Sequence, residues 1–110
     1  MYKGFGGMGG GNMQNLMRQA QKMQEEMIKK QKEAEEKLES TVLSASSGGG
    51  MVTCEITGSK KITAIKIKPE AVDPDDVEML EDMILACVNE AINKADELEK
   101  ELKPNLLGGM

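Results

Sequence analysis

Basic side chains on the first predicted helix are the residues best suited to chemistry in this sequence. At about 100° per residue, four of them fall on one helix face, Arg18, Lys22, Lys29 and Lys32. Cations placed along a helix can contact the phosphates of a polyanion. Glu25 shares this face and forms an i,i+4 pair with Lys29, an arrangement that also supports a solvated helix. The two interpretations, a partner-binding face and a solvated face, both stay open on this evidence.

Charge is distributed unevenly along the 110 residues, although the net charge is −5. Residues 1–68 carry 11 Lys and Arg against 7 Asp and Glu, whereas residues 69–110 carry 3 against 12. This asymmetry indicates a polyanion-binding face on an acidic body. A second group of basic residues falls on the predicted sheet: Lys60, Lys61, Lys66 and Lys68. Because the chain has a single Arg, the residue that most often reads base edges, we expect weak sequence preference.

The residues that most enzymes depend on are missing. The chain has no His, which removes Ser–His and Cys–His nucleophile pairs and His-based zinc sites. The acidic cluster that begins at Asp73 lacks the central Gly of a calcium loop, and helix capping and a solvated face explain it. Cys54 and Cys87 are predicted to be buried free thiols, with a disulfide as the alternative. We therefore expect no enzyme activity, catalytic residue, metal, cofactor or small-molecule substrate.

The sequence predicts neither a membrane span nor a secretory signal. No run of about 18 apolar residues occurs, and the Gly-rich segment 1–12 has no apolar signal core. We therefore expect a cytoplasmic protein with no membrane partner.

Hydrophobic periodicity predicts one α+β domain over residues 13–103, between a flexible Gly-rich arm (1–12) and a flexible tail (104–110). A long helix is predicted from Met13 to about Glu39, and a second from Pro74, with Asp73 as its cap, to Lys103. Between them, alternating segments separated by Gly-containing turns predict a three-stranded antiparallel meander. In the third strand, Ile65 and Ile67 are predicted on one face and Ile62 and Ala64 on the other.

The apolar residues indicate self-association. With one Phe, one Tyr and no Trp, ten Met and the aliphatic residues must supply the core. On both helices they recur at steps of three and four, as in a packing seam. We predict a core or dimer seam from seven of these apolar residues: Leu16, Met23, Met27, Ile65, Ile67, Leu80 and Ile84. A Met stripe can also form an adaptable groove for another protein, which is the alternative interpretation.

Three segments together resemble one protein family. Residues 15–24 (NLMRQAQKMQ) resemble the opening helix of the YbaB/EbfC nucleoid-associated proteins. The segment 48–52 (GGGMV) is similar to their first hairpin turn, and residues 72–82 (VDPDDVEMLED) resemble the signature of their second helix. The resemblance covers about residues 8–110, and its three motifs occur in the family's order.

The resemblance implies a bacterial, tweezer-like homodimer that binds double-stranded DNA, alters its conformation and is linked to nucleoid organisation and gene expression. It implies that DNA contacts come from the first and last helices. The corresponding basic residues here are Arg18, Lys22, Lys29, Lys30 and Lys32 and, more weakly, Lys94 and Lys100. The alternative function is that of a protein-binding structural or chaperone-like dimer with Met-rich helices.

Overall fold

The computed structural model describes the backbone of residues 2–104 and the side chains of residues 12–104. Two long helices flank a three-stranded antiparallel sheet of order β1-β2-β3, so the predicted α+β fold is confirmed. The chain divides into two compact units, residues 1–33 and residues 34–110. The elements are α1 (Tyr2–Ser40), β1 (Val42–Ser47), β2 (Val52–Thr57), β3 (Ile62–Ile67) and α2 (Val77–Leu102).

Helix α1 begins at Tyr2, whereas we predicted a flexible arm up to residue 12. Glycine disfavours a helix by only about 1 kcal/mol per residue, and a helix that has already nucleated gains one hydrogen bond for each residue added. The helix ends at Ser40. There the Thr41 hydroxyl and amide both donate to the Lys37 carbonyl, at 2.6 and 3.0 Å. The predicted flexible tail, residues 104–110, lies outside the described residues apart from Pro104.

The second helix begins three residues later than predicted. Asp73 does not cap it, because its carboxylate accepts from the Asp75 amide at 2.9 Å in a local turn. Asp76 is the N-cap instead, and its side chain accepts from the Met79 amide at 3.2 Å. The acid-rich segment therefore forms a turn followed by a capped helix, and Val77 is the first helical residue.

A bulge in the sheet changes which way one isoleucine faces. Strands β2 and β3 pair Cys54 with Ile65 and Val52 with Ile67, but a register shift after Glu55 pairs Ile56 with Ile62. Residues directly opposite in an antiparallel pair share a face. Ile62 therefore lies on the same face as Ile65, and the prediction that it lies with Ala64 was wrong, because the bulge inserts one residue.

The core lies between one face of the sheet and α2. Small residues at steps of four, Cys87, Ala91 and Ala95, are fully buried on α2 and let the helix approach the strands closely. The predicted seam residues Leu80 and Ile84 are partly buried against this core. The buried apolar residues of the sheet are Ala45, Val52, Cys54 and Ile56.

Candidate nucleic-acid interface

Four basic residues of α1 share one exposed helix face with Glu25. Arg18, Lys22, Lys29 and Lys32 are all exposed, and helical geometry places them within about 80° of one another. We call these four residues the basic stripe. Lys30 is also exposed but lies about 120° around the helix from Arg18. The structure therefore groups four of the five candidates on α1 and leaves Lys30 to one side.

No carboxylate oxygen of the described residues lies within 4.0 Å of a basic-stripe nitrogen. The i,i+4 pair between Glu25 and Lys29 that the sequence suggested is thus not formed as a close ion pair. From Arg18 to Lys32 the helix rises about 21 Å at 1.5 Å per residue. One DNA strand presents about six phosphates over that length, at about 3.4 Å of axis each. The stripe therefore has the length and the exposed charge to follow a nucleic-acid backbone.

The opposite face of α1 is apolar and equally exposed. Met13, Leu16, Met23 and Met27 are each between 58% and 65% exposed, although such side chains are usually covered. Helical geometry places them roughly opposite the basic stripe. We call these four residues the apolar stripe. A row of exposed apolar side chains along one helix face is typical of a surface that packs against another chain.

The two candidates on α2 differ in their surroundings. The Lys94 ammonium donates to the Ser44 carbonyl of β1 at 2.7 Å, so it lies at the edge of the sheet. Lys100 is exposed and lies next in sequence to Glu99 and Glu101. Nearby carboxylates lower the local potential that a phosphate would meet. The α2 candidates therefore have less favourable electrostatic surroundings than the basic stripe.

The four sheet lysines have different partners. Lys60 lies in the β2–β3 turn, and its ammonium is 2.7 Å from the Asp96 carboxylate and 3.3 Å from that of Glu99. Both hydrogen bonds raise the pKa of Lys60, and the bond to Asp96 has the larger effect. Two carboxylates of α2 therefore offset the charge of Lys60. The other three have fewer carboxylates nearby: Lys66 has one at 3.4 Å, and Lys61 and Lys68 have none within 4.0 Å among the described residues.

Both cysteines are free and buried, as predicted. The Cys87 thiol lies 3.3 Å from the Ala45 carbonyl and 3.5 Å from that of Val52, which it can approach as a weak donor. Burial, followed by the neighbouring Cys87, raises the pKa of the Cys54 thiol. A buried thiol with a raised pKa is a poor nucleophile, so these residues serve packing.

Two further classes of site were sought in the described part of the chain. Among residues 12–104, no cluster of three or more His, Cys, Asp or Glu has the arrangement of a metal site. The helices described here contain no apolar stretch long enough to cross a membrane.

The fold and the exposed basic helix define a small α+β protein suited to a polyanionic partner, and comparison with known proteins specifies its family. Residues 8–110 match the model of the YbaB/EbfC DNA-binding family. A nucleoid-associated protein of Clostridium acetobutylicum is 54% identical over 107 residues, which cover 97% of this chain and 92% of that protein. One of Alkaliphilus metalliredigens is 50% identical over 109 residues, covering 98% and 92%.

A solved structure has the same fold. The crystal structure of an uncharacterized protein from Helicobacter pylori superposes with a TM-score of 0.72 at 26% sequence identity, covering 82% of this chain and 95% of that one. The chain belongs to the YbaB/EbfC DNA-binding family. The family resemblance noted in the sequence is confirmed, and so is the nucleoid-associated DNA-binding function that it implied.

Proposed function

We propose that the chain binds double-stranded DNA in the nucleoid as a homodimer, through phosphate contacts made by the basic stripe. The observation that carries this proposal is a row of exposed cations without close carboxylate partners. The row is about 21 Å long, at about 1.5 Å of helix rise per residue. Lys30, Lys94 and Lys100 are proposed as additional contacts at the margins. On this proposal the protein changes the conformation of DNA and thereby affects nucleoid organisation and gene expression, without catalysis.

Phosphate contact explains how an acidic protein can bind DNA. Counterion release depends on the cations that meet phosphates and not on the net charge of the chain. The acids are concentrated in residues 69–110, which keeps them apart in sequence from the basic stripe. Base readout depends on bidentate side chains such as Arg. Since Arg18 is the single Arg, the proposal includes weak sequence preference.

Dimerisation is proposed because two apolar surfaces stay uncovered in one chain. The apolar stripe is one, and the other is the row Ile62, Ile65 and Ile67 of β3, which are 37–45% exposed on the core face of the sheet. A second copy that covers these surfaces would remove apolar area from water, at about 25 cal/mol for each Å². Sedimentation at micromolar concentration is expected to give twice the 12.0 kDa chain mass, and a 12.0 kDa species would contradict the dimer.

The DNA proposal is tested by fluorescence anisotropy with a mixed-sequence duplex at several salt concentrations between 50 and 200 mM. Each phosphate contact contributes about 0.9 to the slope of log K against log salt. In the double variant Lys22→Gln, Lys29→Gln, the magnitude of that slope should be smaller than in wild type by about 1.8 for each protomer that engages DNA.

A matched control keeps the same net charge. Lys37→Gln with Lys103→Gln removes two lysines outside the basic stripe and outside the sheet: Lys37 has no carboxylate within 4.0 Å among residues 12–104, and Lys103 lies 3.5 Å from the Glu35 carboxylate. We expect this variant to bind with the slope of the wild-type protein. Equal losses in the two variants would show a general charge effect and contradict contact through the basic stripe.

The second candidate function is a dimer that holds other proteins through its Met-rich helices. The exposed apolar stripe favours it, because Met side chains adapt to varied partners. Salt separates the two functions, since an apolar grip does not weaken as salt rises, whereas phosphate contacts do. A wild-type protein that gives no anisotropy change with duplex DNA at any salt would favour this function over DNA binding.

A further inference from the structure

The sheet has a polar face that is separate from the core. Cys54 and its β1 and β3 partners, Ala45 and Ile65, lie on the face packed against α2. Since successive residues of a strand point to opposite sides, Thr53 and Glu55 lie on the other face. We call this the outer sheet face; its residues are Val42, Ser44, Ser46, Thr53, Glu55, Thr57, Ala64 and Lys66.

Hydroxyl groups and an ammonium form one row across this face. Ser46 pairs with Thr53, and Thr53 pairs with Lys66, so the three side chains are neighbours on the three strands. Ser46 and Lys66 are exposed, and Thr53, on the central strand, is half-buried. Ser and Thr hydroxyls and Lys ammonium groups are donors that proteins commonly use to bind phosphate oxygens.

Lys68 extends this row beyond the end of β3. Its amide donates to the Met51 carbonyl at 2.9 Å and its backbone is extended, so the β2–β3 pairing continues through it. Lys68 therefore lies on the same side as Lys66, about 7 Å away along the strand. That spacing equals about two phosphate steps along one DNA strand.

A third cation lies at the opposite edge of the same sheet. The Lys94 ammonium donates to the Ser44 carbonyl, a neutral acceptor, at the edge of β1. Because α2 packs on the core face, Lys94 reaches this edge from the core side and lies at the margin of the outer sheet face, about 10 Å from β3. The single carboxylate of the outer sheet face is Glu55, which lies 3.4 Å from the Lys66 ammonium.

We propose that the outer sheet face is a second contact surface for the DNA phosphate backbone, with Lys66 and Lys68 as its principal cations, Ser46 and Thr53 as neutral donors, and Lys94 at its margin. The inference rests on the proposed DNA-binding function and extends it to an element outside the two helices. Lys60 is not part of the surface because the carboxylates of Asp96 and Glu99 pair with its ammonium. The surface contains no Arg or amide side chain, so it adds affinity without base readout.

The test compares full-length variants by anisotropy with the same mixed-sequence duplex, each first shown by thermal unfolding to be as stable as wild type. Lys66→Gln with Lys68→Gln removes two proposed contacts, and the salt slope should fall by about 1.8 per engaged protomer. When salt is lowered from 200 to 50 mM, the affinity of this variant for DNA should therefore rise by about 12-fold less than that of wild type, for each engaged protomer. Lys37→Gln with Lys103→Gln, which has the same net charge and removes no lysine of the outer sheet face, should keep the wild-type slope.

A second pair of variants tests the surface in the opposite direction. Glu55→Gln removes the carboxylate that faces Lys66, so DNA should bind more tightly than to wild type. Glu81→Gln changes the net charge equally at an exposed position of α2 and should have a smaller effect. This pair decides the question even if the double lysine variant does not fold.

The outcomes separate the two proposals. A wild-type slope in the Lys66→Gln, Lys68→Gln variant, or equal effects of Glu55→Gln and Glu81→Gln, would overturn the second surface while leaving DNA binding by α1 intact. Failure of the wild-type protein to bind duplex DNA at 50 mM salt would overturn both. A reduced slope in the sheet variant with a normal slope in the control would establish the outer sheet face as a DNA contact.

Discussion

Gly58 is a position where a single methyl group should destabilise the fold. This residue follows β2, is buried, and donates its amide to the Thr41 carbonyl at 2.9 Å. A Cβ atom at Gly58 would lie 2.9 Å from the Leu38 carbonyl oxygen and 2.9 Å from a methyl carbon of each of Leu38 and Leu98. Gly58 therefore provides the space in which the last turns of α1 and α2 pack against the β2–β3 turn.

The expected loss of unfolding free energy depends on which atoms can move to make room for the methyl group. The Leu98 side chain can change rotamer, but the Leu38 carbonyl belongs to helix α1 and cannot shift without moving the backbone. Inserting a methyl group into a packed core costs about 1–3 kcal/mol. Because the φ angle of Gly58 is not positive, Ala adds no backbone strain there. We therefore expect Gly58→Ala to lower the free energy of unfolding by about 1–3 kcal/mol, from steric overlap alone.

Gly49 provides the matched comparison. Its φ is +67°, which side chains rarely adopt, yet nothing lies within 4 Å of a Cβ placed there. Gly49→Ala should therefore cost about 1–2 kcal/mol from backbone conformation alone. Asn tolerates the left-handed region better than Ala but is larger. Asn should thus be less harmful than Ala at Gly49 and more harmful than Ala at Gly58.

The assay is urea denaturation of the four variants at one protein concentration, because association with a second copy would make stability depend on concentration. The order of Ala and Asn at each position is the critical result. A Gly58→Ala protein within about 0.5 kcal/mol of wild type would refute the packing argument, since that is the range of ordinary surface substitutions. So would a Gly58→Asn protein as stable as Gly58→Ala.

Two predictions concern pH and thiol chemistry. Hydrogen bonds that the Lys60 ammonium donates, chiefly to Asp96 and then to Glu99, raise the pKa of Lys60 above its ordinary value of 10.5. The stabilising effect of these pairs is therefore complete below pH 10.5 and is lost as the pH rises through the raised pKa. The difference in unfolding free energy between wild type and Lys60→Gln should stay constant from pH 7 to 9 and shrink toward pH 12; a constant difference across the whole range would contradict the ion pairs. Burial and then Cys87 raise the pKa of Cys54 above the ordinary 9.0, so the unfolded chain loses this proton first and the contribution to stability declines only above about pH 9. Ellman's reagent at pH 8 should label Cys54 and Cys87 only as fast as the protein unfolds, and rapid labelling of the native protein would show that the thiols are accessible.

The sequence by itself determined the order of elements and the most probable kind of partner. The apolar steps of three and four predicted α1 and α2, and the alternation of Val52, Cys54 and Ile56 predicted the buried central strand. These signals are local, because a helix or strand that buries one face must repeat apolar residues with its own period. The motifs at residues 15–24, 48–52 and 72–82 also sufficed to indicate the family.

Only the tertiary structure decided the surroundings of each residue, which can differ between neighbours in the sequence. Lys60 and Lys61 are adjacent, but Lys60 alone meets carboxylates of α2, 36 and 39 residues further along the chain. Ile62 turns toward the core face because of a bulge whose position depends on pairing with β2. Charge neutralisation and strand register depend on contacts between distant segments, and no local pattern in the sequence encodes which segments meet.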